Sequence, residues 1–123
     1  MPNGSTLVRA LWESFEARDF KSAAELLHDD FTCDWPQTRE RIRGRNNFIA
    51  LNKNYPGDWH IRIIRIVTEG NQVASEVHVA IDGRLEPAAS FFEMRDGKLW
   101  RLTEYWPDSY EPPTWRKQWV ELY

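Results

Sequence analysis

Residues 69–106 read EGNQVASEVHVAIDGRLEPAASFFEMRDGKLWRLTEYW. Three turn signals punctuate this stretch: Glu69-Gly70-Asn71, Asp82-Gly83 and Asp96-Gly97, spaced 13 or 14 residues apart. Asp-Gly favours a tight hairpin because Gly takes a positive φ with no Cβ to clash. Alternating, β-rich runs lie between and before the turns. The first holds Ile61, Ile63 and, across an Arg, Ile66-Val67. The second holds Val73, Val77, Val79 and Ile81, and the third Ala88, Ser90, Phe92 and Met94. The fourth holds Trp100, Leu102, Glu104 and Trp106. The direct reading is a four-stranded antiparallel meander. Pro87, near the start of the third run, marks a bulge or an edge.

The first half follows a helical grammar. Leu7, Val8, Leu11, Trp12 and Phe15 share one face at helical spacing, after a cap at Ser5 or Thr6. A second helix starts at Asp19, or a turn later at the Ser22-Ala23-Ala24-Glu25 capping box. Phe31-Thr32-Cys33-Asp34-Trp35 reads as a short strand stopped by Pro36. Arg39 to Arg45 carries an arginine at every second position and reads as a solvated loop. A third helix, capped near Asn46 or Asn47, carries Phe48, Ile49 and Leu51 and ends at Tyr55-Pro56-Gly57-Asp58. After Pro112-Pro113, Thr114 can cap a last helical turn or two. Trp115, Trp119 and Leu122 then form a stripe expected to pack on the domain or on a partner subunit.

Composition bounds the function. The 123 residues are the size of one domain and can form a core without disulfide or metal staples. The net charge of −3 argues against a nucleic-acid partner. No apolar run approaches a membrane span, and Met1-Pro2-Asn3-Gly4-Ser5 lacks a leader pattern, so a cytoplasmic location is expected. The single Cys33 fits a reducing compartment. The three His lack metal-ligand spacing, and no Gly-rich phosphate loop exists, so no metal and no cofactor are expected. Seven Trp, four Tyr and six Phe are many for this length. Two explanations stand: a core built of rings, or a pocket lined by them.

Several local runs resemble the nuclear transport factor 2-like superfamily, in its SnoaL-like branch. They are Phe15-Glu16-Ala17-Arg18-Asp19-Phe20, Leu27-His28-Asp29-Asp30-Phe31, Arg43-Gly44-Arg45, Phe92 to Leu99, and Thr103-Glu104-Tyr105-Trp106. The resemblance covers residues 5–107 and leaves the tail, 108–123, outside a single domain spanning 1–123. It implies an α+β fold, a cone-shaped curved antiparallel sheet with three N-terminal helices packed on it. It also implies a homodimer formed through the outer face of the sheet. Its members include steroid isomerases, epoxide hydrolases, polyketide cyclases, dehydratases and binding proteins, so fold alone does not give activity.

Transfer of the family's functional residues is partial. The general-base Asp of ketosteroid isomerases would fall at Trp35, one residue after Asp34, and a one-residue shift on a strand changes the face. Their oxyanion-hole Tyr and Asp would fall on Leu11 and Ser90, so that constellation is absent. The catalytic Asp of limonene-epoxide hydrolases would fall on Glu104, and their Arg-x-Asp pair on Glu76-Val77-His78. SnoaL-type cyclases use an acidic residue and a His in a similar cavity.

Glu104, His78 and Glu76 are therefore the candidate catalytic groups. Glu104 alternates with Trp100, Leu102 and Trp106, and a carboxyl among rings should hold its proton more tightly. Glu76 and His78 share a face at i and i+2, but Val77, Val79 and Ile81 occupy the opposite one. Two arrangements stay open: all three groups converge, or Glu76 and His78 face a dimer contact or solvent. Trp12, Trp35, Phe48, Ser90, Phe92 and Trp106 are the candidate pocket residues, with a small apolar molecule as the expected ligand.

Overall fold

A computed structural model describes residues 3–123; Met1 and Pro2, the start of the segment read for a leader, lie outside the described residues. Helices α1 (Gly4–Glu16), α2 (Phe20–Glu25) and α3 (Arg45–Lys53) cover the concave face of one six-stranded sheet. The strands are β1 (Leu27–Trp35), β2 (Glu40–Arg43), β3 (Trp59–Glu69), β4 (Gln72–Ile81), β5 (Arg84–Arg95) and β6 (Lys98–Tyr105). Their spatial order is β2-β1-β6-β5-β4-β3. The meander read from residues 59–106 is present as β3 to β6. Asp82 and Gly83 have φ of 48° and 82°, and Asp96 and Gly97 have 53° and 73°, the paired positive φ of tight hairpins. No helix among the described residues is long and apolar enough to cross a membrane.

Caps set the helix starts. Asn3, not Ser5 or Thr6, accepts from the Thr6 amide at 2.9 Å. Asp19 caps α2 through Ser22. Gly44, with φ of 86°, precedes α3, two or three residues before the expected Asn cap. Leu7, Val8, Leu11, Trp12 and Phe15 are buried, as their spacing requires. Phe31 and Phe48 meet at 4.8 Å between ring centroids and lock α3 onto β1.

Three readings of the sequence need correction. The arginine run is not a loop: Glu40–Arg43 pairs antiparallel with β1, and Arg41 grips Asp34 through Nε at 2.6 Å and Nη2 at 3.0 Å. Arg45 reaches Asp29 at 2.9 Å. These arginines answer local carboxylates. Trp100 leaves the inner stripe of β6 because a register shift sets Leu99, together with Leu102, on the inner face. The guanidinium groups of Arg95 and Arg101 cover its ring instead. Finally, the tail does not pack on its own domain. Residues Thr114–Trp119 form a 3₁₀ helix, and Trp115 and Trp119 stay 73% and 71% exposed. Three residues per turn cannot align side chains spaced i, i+4 and i+7.

Pro87 pairs with His78 within an unbroken β4–β5 ladder, so no bulge forms there. The β5–β6 ladder begins only at Ala89, which leaves Pro87 on the free flank of β5, the edge position its missing N–H demands.

The fold places Phe31 in the core and Trp119 in solvent. Phe31→Ala should lower stability by about 3–5 kcal/mol in urea unfolding. Trp119→Ala should change it by no more than about 0.5 kcal/mol. Equal losses in the two variants would contradict the exposed tail.

Candidate functional site

Alternation along β4, β5 and β6 puts Ser75, Ser90 and Glu104 on the concave face, opposite one another in register. All three are buried, and Glu104 is only 4% exposed. Its carboxyl has no ion-pair partner among the described residues. Neutral donors hold it instead. Trp106 Nε1 donates to Oε1 at 2.9 Å and Trp35 Nε1 donates to the same oxygen at 3.2 Å. The Ser90 hydroxyl donates to Oε2 at 2.7 Å. Burial raises the Glu104 pKa above its ordinary 4.5, and the bonds from Ser90, Trp106 and Trp35 oppose that rise. Trp12 Nε1 donates to Ser75 Oγ at 3.1 Å and carries the polar floor toward α1.

Two hollows meet at this carboxyl. An inner cavity of about 40 Å³ lies under α1 and α3, and an outer one of about 370 Å³ opens beside it. Trp35, Tyr55, Glu104 and Trp106 line both. The inner volume suits a few waters or a compact group, since one water needs about 10–15 Å³. Of the residues read as a pocket, Trp12, Trp35, Phe48 and Trp106 line the inner cavity. Ser90 and Phe92 lie just behind the wall. Ser90 braces Glu104, and Phe92 packs edge-on against Trp12 at 6.2 Å.

Sequence reasoning missed Asn52, Tyr55, Trp59, Ile61 and Glu86 in the wall. The signal for two of them was present. Phe48, Asn52 and Tyr55 stand at i, i+4 and i+7, one face of α3 carried into the following turn. Trp59 shares the parity of Ile61 and begins β3, where Arg18 stacks 3.5 Å from its ring centroid and donates to its carbonyl.

Glu76 and His78 do not join Glu104. Val73, Ser75, Val77, Val79 and Ile81 take the inner face of β4, so Glu76 and His78 point outward. There Glu76 meets Arg65 Nε at 2.9 Å and His78 Nε2 at 3.2 Å. The three-residue convergence is thereby replaced by Glu104 alone. Cys33 is buried on the inner face of β1; burial, with Glu104 and Asp34 nearby, pushes its thiol pKa far up, and it acts as a small packed group. No three His, Cys, Asp or Glu side chains among the described residues stand close enough to hold a metal ion.

The SnoaL-like domain family matches residues 8–102. A Kribbella flavida protein with a provisional ketosteroid isomerase designation superposes with a TM-score of 0.94 at 34% identity, over 97% of this chain and 88% of its own. A nuclear transport factor 2-like protein of unknown function from Burkholderia xenovorans gives 0.81 at 37% identity, over 95% and 92%. A Xanthomonas campestris protein with a provisional polyketide cyclase designation gives 0.68 at 26% identity, over 82% and 87%. No curated protein matches the chain.

The Glu104 environment sets a pH test. Below its ordinary pKa of 4.5, folded and unfolded chains both hold the proton and Glu104 brings no cost. Above that value the unfolded chain ionises first, so folding loses stability until the raised folded pKa is passed. Glu104→Gln removes this loss. As the pH rises from about 4.5, the melting temperature of wild type should fall relative to that of the variant and level off once the raised folded pKa is passed. Parallel curves would show that the carboxyl titrates normally.

Proposed function

The chain belongs to the SnoaL-like family, and on that premise we propose that it binds a small apolar molecule against Trp12, Trp35, Phe48 and Trp106 and uses Glu104 as a proton donor and acceptor. The reaction class is cofactor-independent isomerisation, lyase or hydrolase chemistry. One observation carries this reading: a desolvated carboxyl without a counter-ion lines a hollow walled by indole rings. A pKa raised from 4.5 moves the group toward the operating pH, where a general acid–base is most effective. The indole N–H groups and the Ser90 hydroxyl fix its orientation. In an isomerisation, Glu104 takes a proton from one carbon next to a carbonyl and returns it at another. Atoms and charge then balance with no co-reactant. The isomerase and cyclase designations of the Kribbella and Xanthomonas proteins agree with proton transfer as the shared chemistry.

This reading includes a cytoplasmic homodimer. A free, buried Cys33 suits a reducing compartment. Phe91 on β5 stays 52% exposed beside the ring of Tyr105, giving the outer face an apolar patch for a second copy. Sedimentation should find a dimer; a monomer at micromolar concentration removes this part.

Compounds that co-purify with the protein, identified by mass spectrometry and incubated in heavy water, test the chemistry. Wild type should catalyse deuterium entry into the bound compound. Glu104→Gln should keep the fold and the compound and lose exchange by about 10²–10⁴-fold. Undiminished exchange in the variant would remove Glu104 from the mechanism. Retention without exchange in either protein would leave a binding protein.

A further inference from the structure

The walls of the two hollows carry one sign of charge. Glu86 and Glu104 contribute to the inner cavity, and Glu40, Glu104 and Asp108 to the outer; among the described residues no Lys, Arg or His lines either. The chain has 16 Lys and Arg, so cations are not scarce; they are placed elsewhere. Arg41 and Arg45 answer Asp34 and Asp29, Arg65 answers Glu76, and Arg84 meets Glu86 at 3.5 Å from an exposed position. Glu104, the most deeply buried of these carboxyls, receives none.

The remaining wall is aromatic. Trp12, Trp35, Tyr55, Trp59 and Trp106 line the inner cavity. An indole face attracts a cation through its quadrupole, and the attraction strengthens when water is excluded. Rings and carboxylates together therefore favour a positive ligand over a neutral one of the same shape. The hydrogen bonds select the kind of cation. Oε1 of Glu104 already accepts two indole N–H groups, and Oε2 accepts the Ser90 hydroxyl. Few lone pairs remain for a primary ammonium, which needs three acceptors. An alkylated ammonium needs charge and apolar contact only. Its compact head matches the inner 40 Å³, with room for the rest of the molecule in the outer 370 Å³.

We propose that the hollow takes a small tertiary or quaternary alkylammonium, its charged head set beside the Glu104 carboxyl among the aromatic rings that line the cavity. This rests on the reading of the hollow as a ligand site and narrows the ligand from apolar to apolar and cationic. The bound head supplies the counter-charge that the fold withholds from Glu104.

The full chain is titrated with choline and with dimethylbutanol, its neutral isostere with carbon in place of nitrogen. Calorimetry and tryptophan fluorescence read the binding. Choline should bind at least about tenfold more tightly. Glu104→Gln should bring the two affinities toward parity, with circular dichroism confirming the fold. Glu86→Gln, a half-exposed change that the fold tolerates, should lower the preference for choline about twofold and leave dimethylbutanol unaffected. Equal or tighter binding of dimethylbutanol by wild type overturns the cationic ligand and leaves the hollow as a site for neutral molecules. A choline preference unchanged in both variants also overturns it. Binding of neither probe at millimolar concentration overturns the cationic ligand and the site reading together.

Discussion

The parallel ladder between β1 and β6 is the contact on which the rest of the molecule depends. Thr32, Cys33 and Asp34 pair with Arg101, Leu102 and Thr103. The meander alone would end at β6, with Glu104 on a free edge and in water. Adding β1 and β2 covers that edge and lengthens the sheet to six strands. It also carries Trp35 to Glu104 across 69 residues of sequence. Gln37, just past β1, accepts from the Trp106 amide and ties the far end of the ladder. Desolvation of the carboxyl, and with it the whole chemical reading, follows from this one pairing.

Once buried, the carboxyl faces a balance of opposed terms. Removal from water favours the protonated form; three hydrogen-bond donors favour the ionised form. A buried arginine in place of the indoles would hold the charge permanently and quench its basicity. Neutral donors orient the group and leave its proton exchangeable. Ser90 is the strongest of them and sits directly across the ladder from Glu104, on the strand pair whose register the Asp96-Gly97 hairpin sets. Turn chemistry and acid–base chemistry are thus linked by two-residue alternation.

Alternation and turn residues are local properties, and they made the meander legible. The resemblance to the last strand of epoxide hydrolases points to Glu104, and its apolar neighbours at i−2 and i+2 place it on the inward stripe. Parity also separated Glu76 and His78 from the valines beside them, although only the curvature of the sheet shows which face is concave. What stayed hidden was non-local. A parallel partner for Phe31 to Trp35 has no sequence signature within either strand. The arginine run became β2 because β1 offered it an edge and Asp34 a counter-charge. The register shift at Leu99 and Trp100 moves one ring outward without a Gly or Pro to announce it. In the tail the expected helical turns form as a 3₁₀ helix, whose three residues per turn set Trp115 and Trp119 on different faces.

The abundance of rings allowed a packed core or a lined pocket, and the structure divides them by chemistry. Phe15, Phe31, Phe48 and Phe92 carry no polar atom and are buried in the core; the first three interlock at 4.8–5.9 Å, with Phe48 reaching the cavity wall, and Phe92 packs on Trp12. A buried Trp brings an N–H that must find an acceptor. Ser75 serves Trp12, and Glu104 serves both Trp35 and Trp106. The need is mutual, because a carboxyl under the helices must find donors. Trp100 lacks such an acceptor: its Nε1 is buried and unpartnered, and Arg95 and Arg101 lie against its ring. Indoles and the carboxyl therefore justify each other's burial, and neither could sit at this end of the sheet alone.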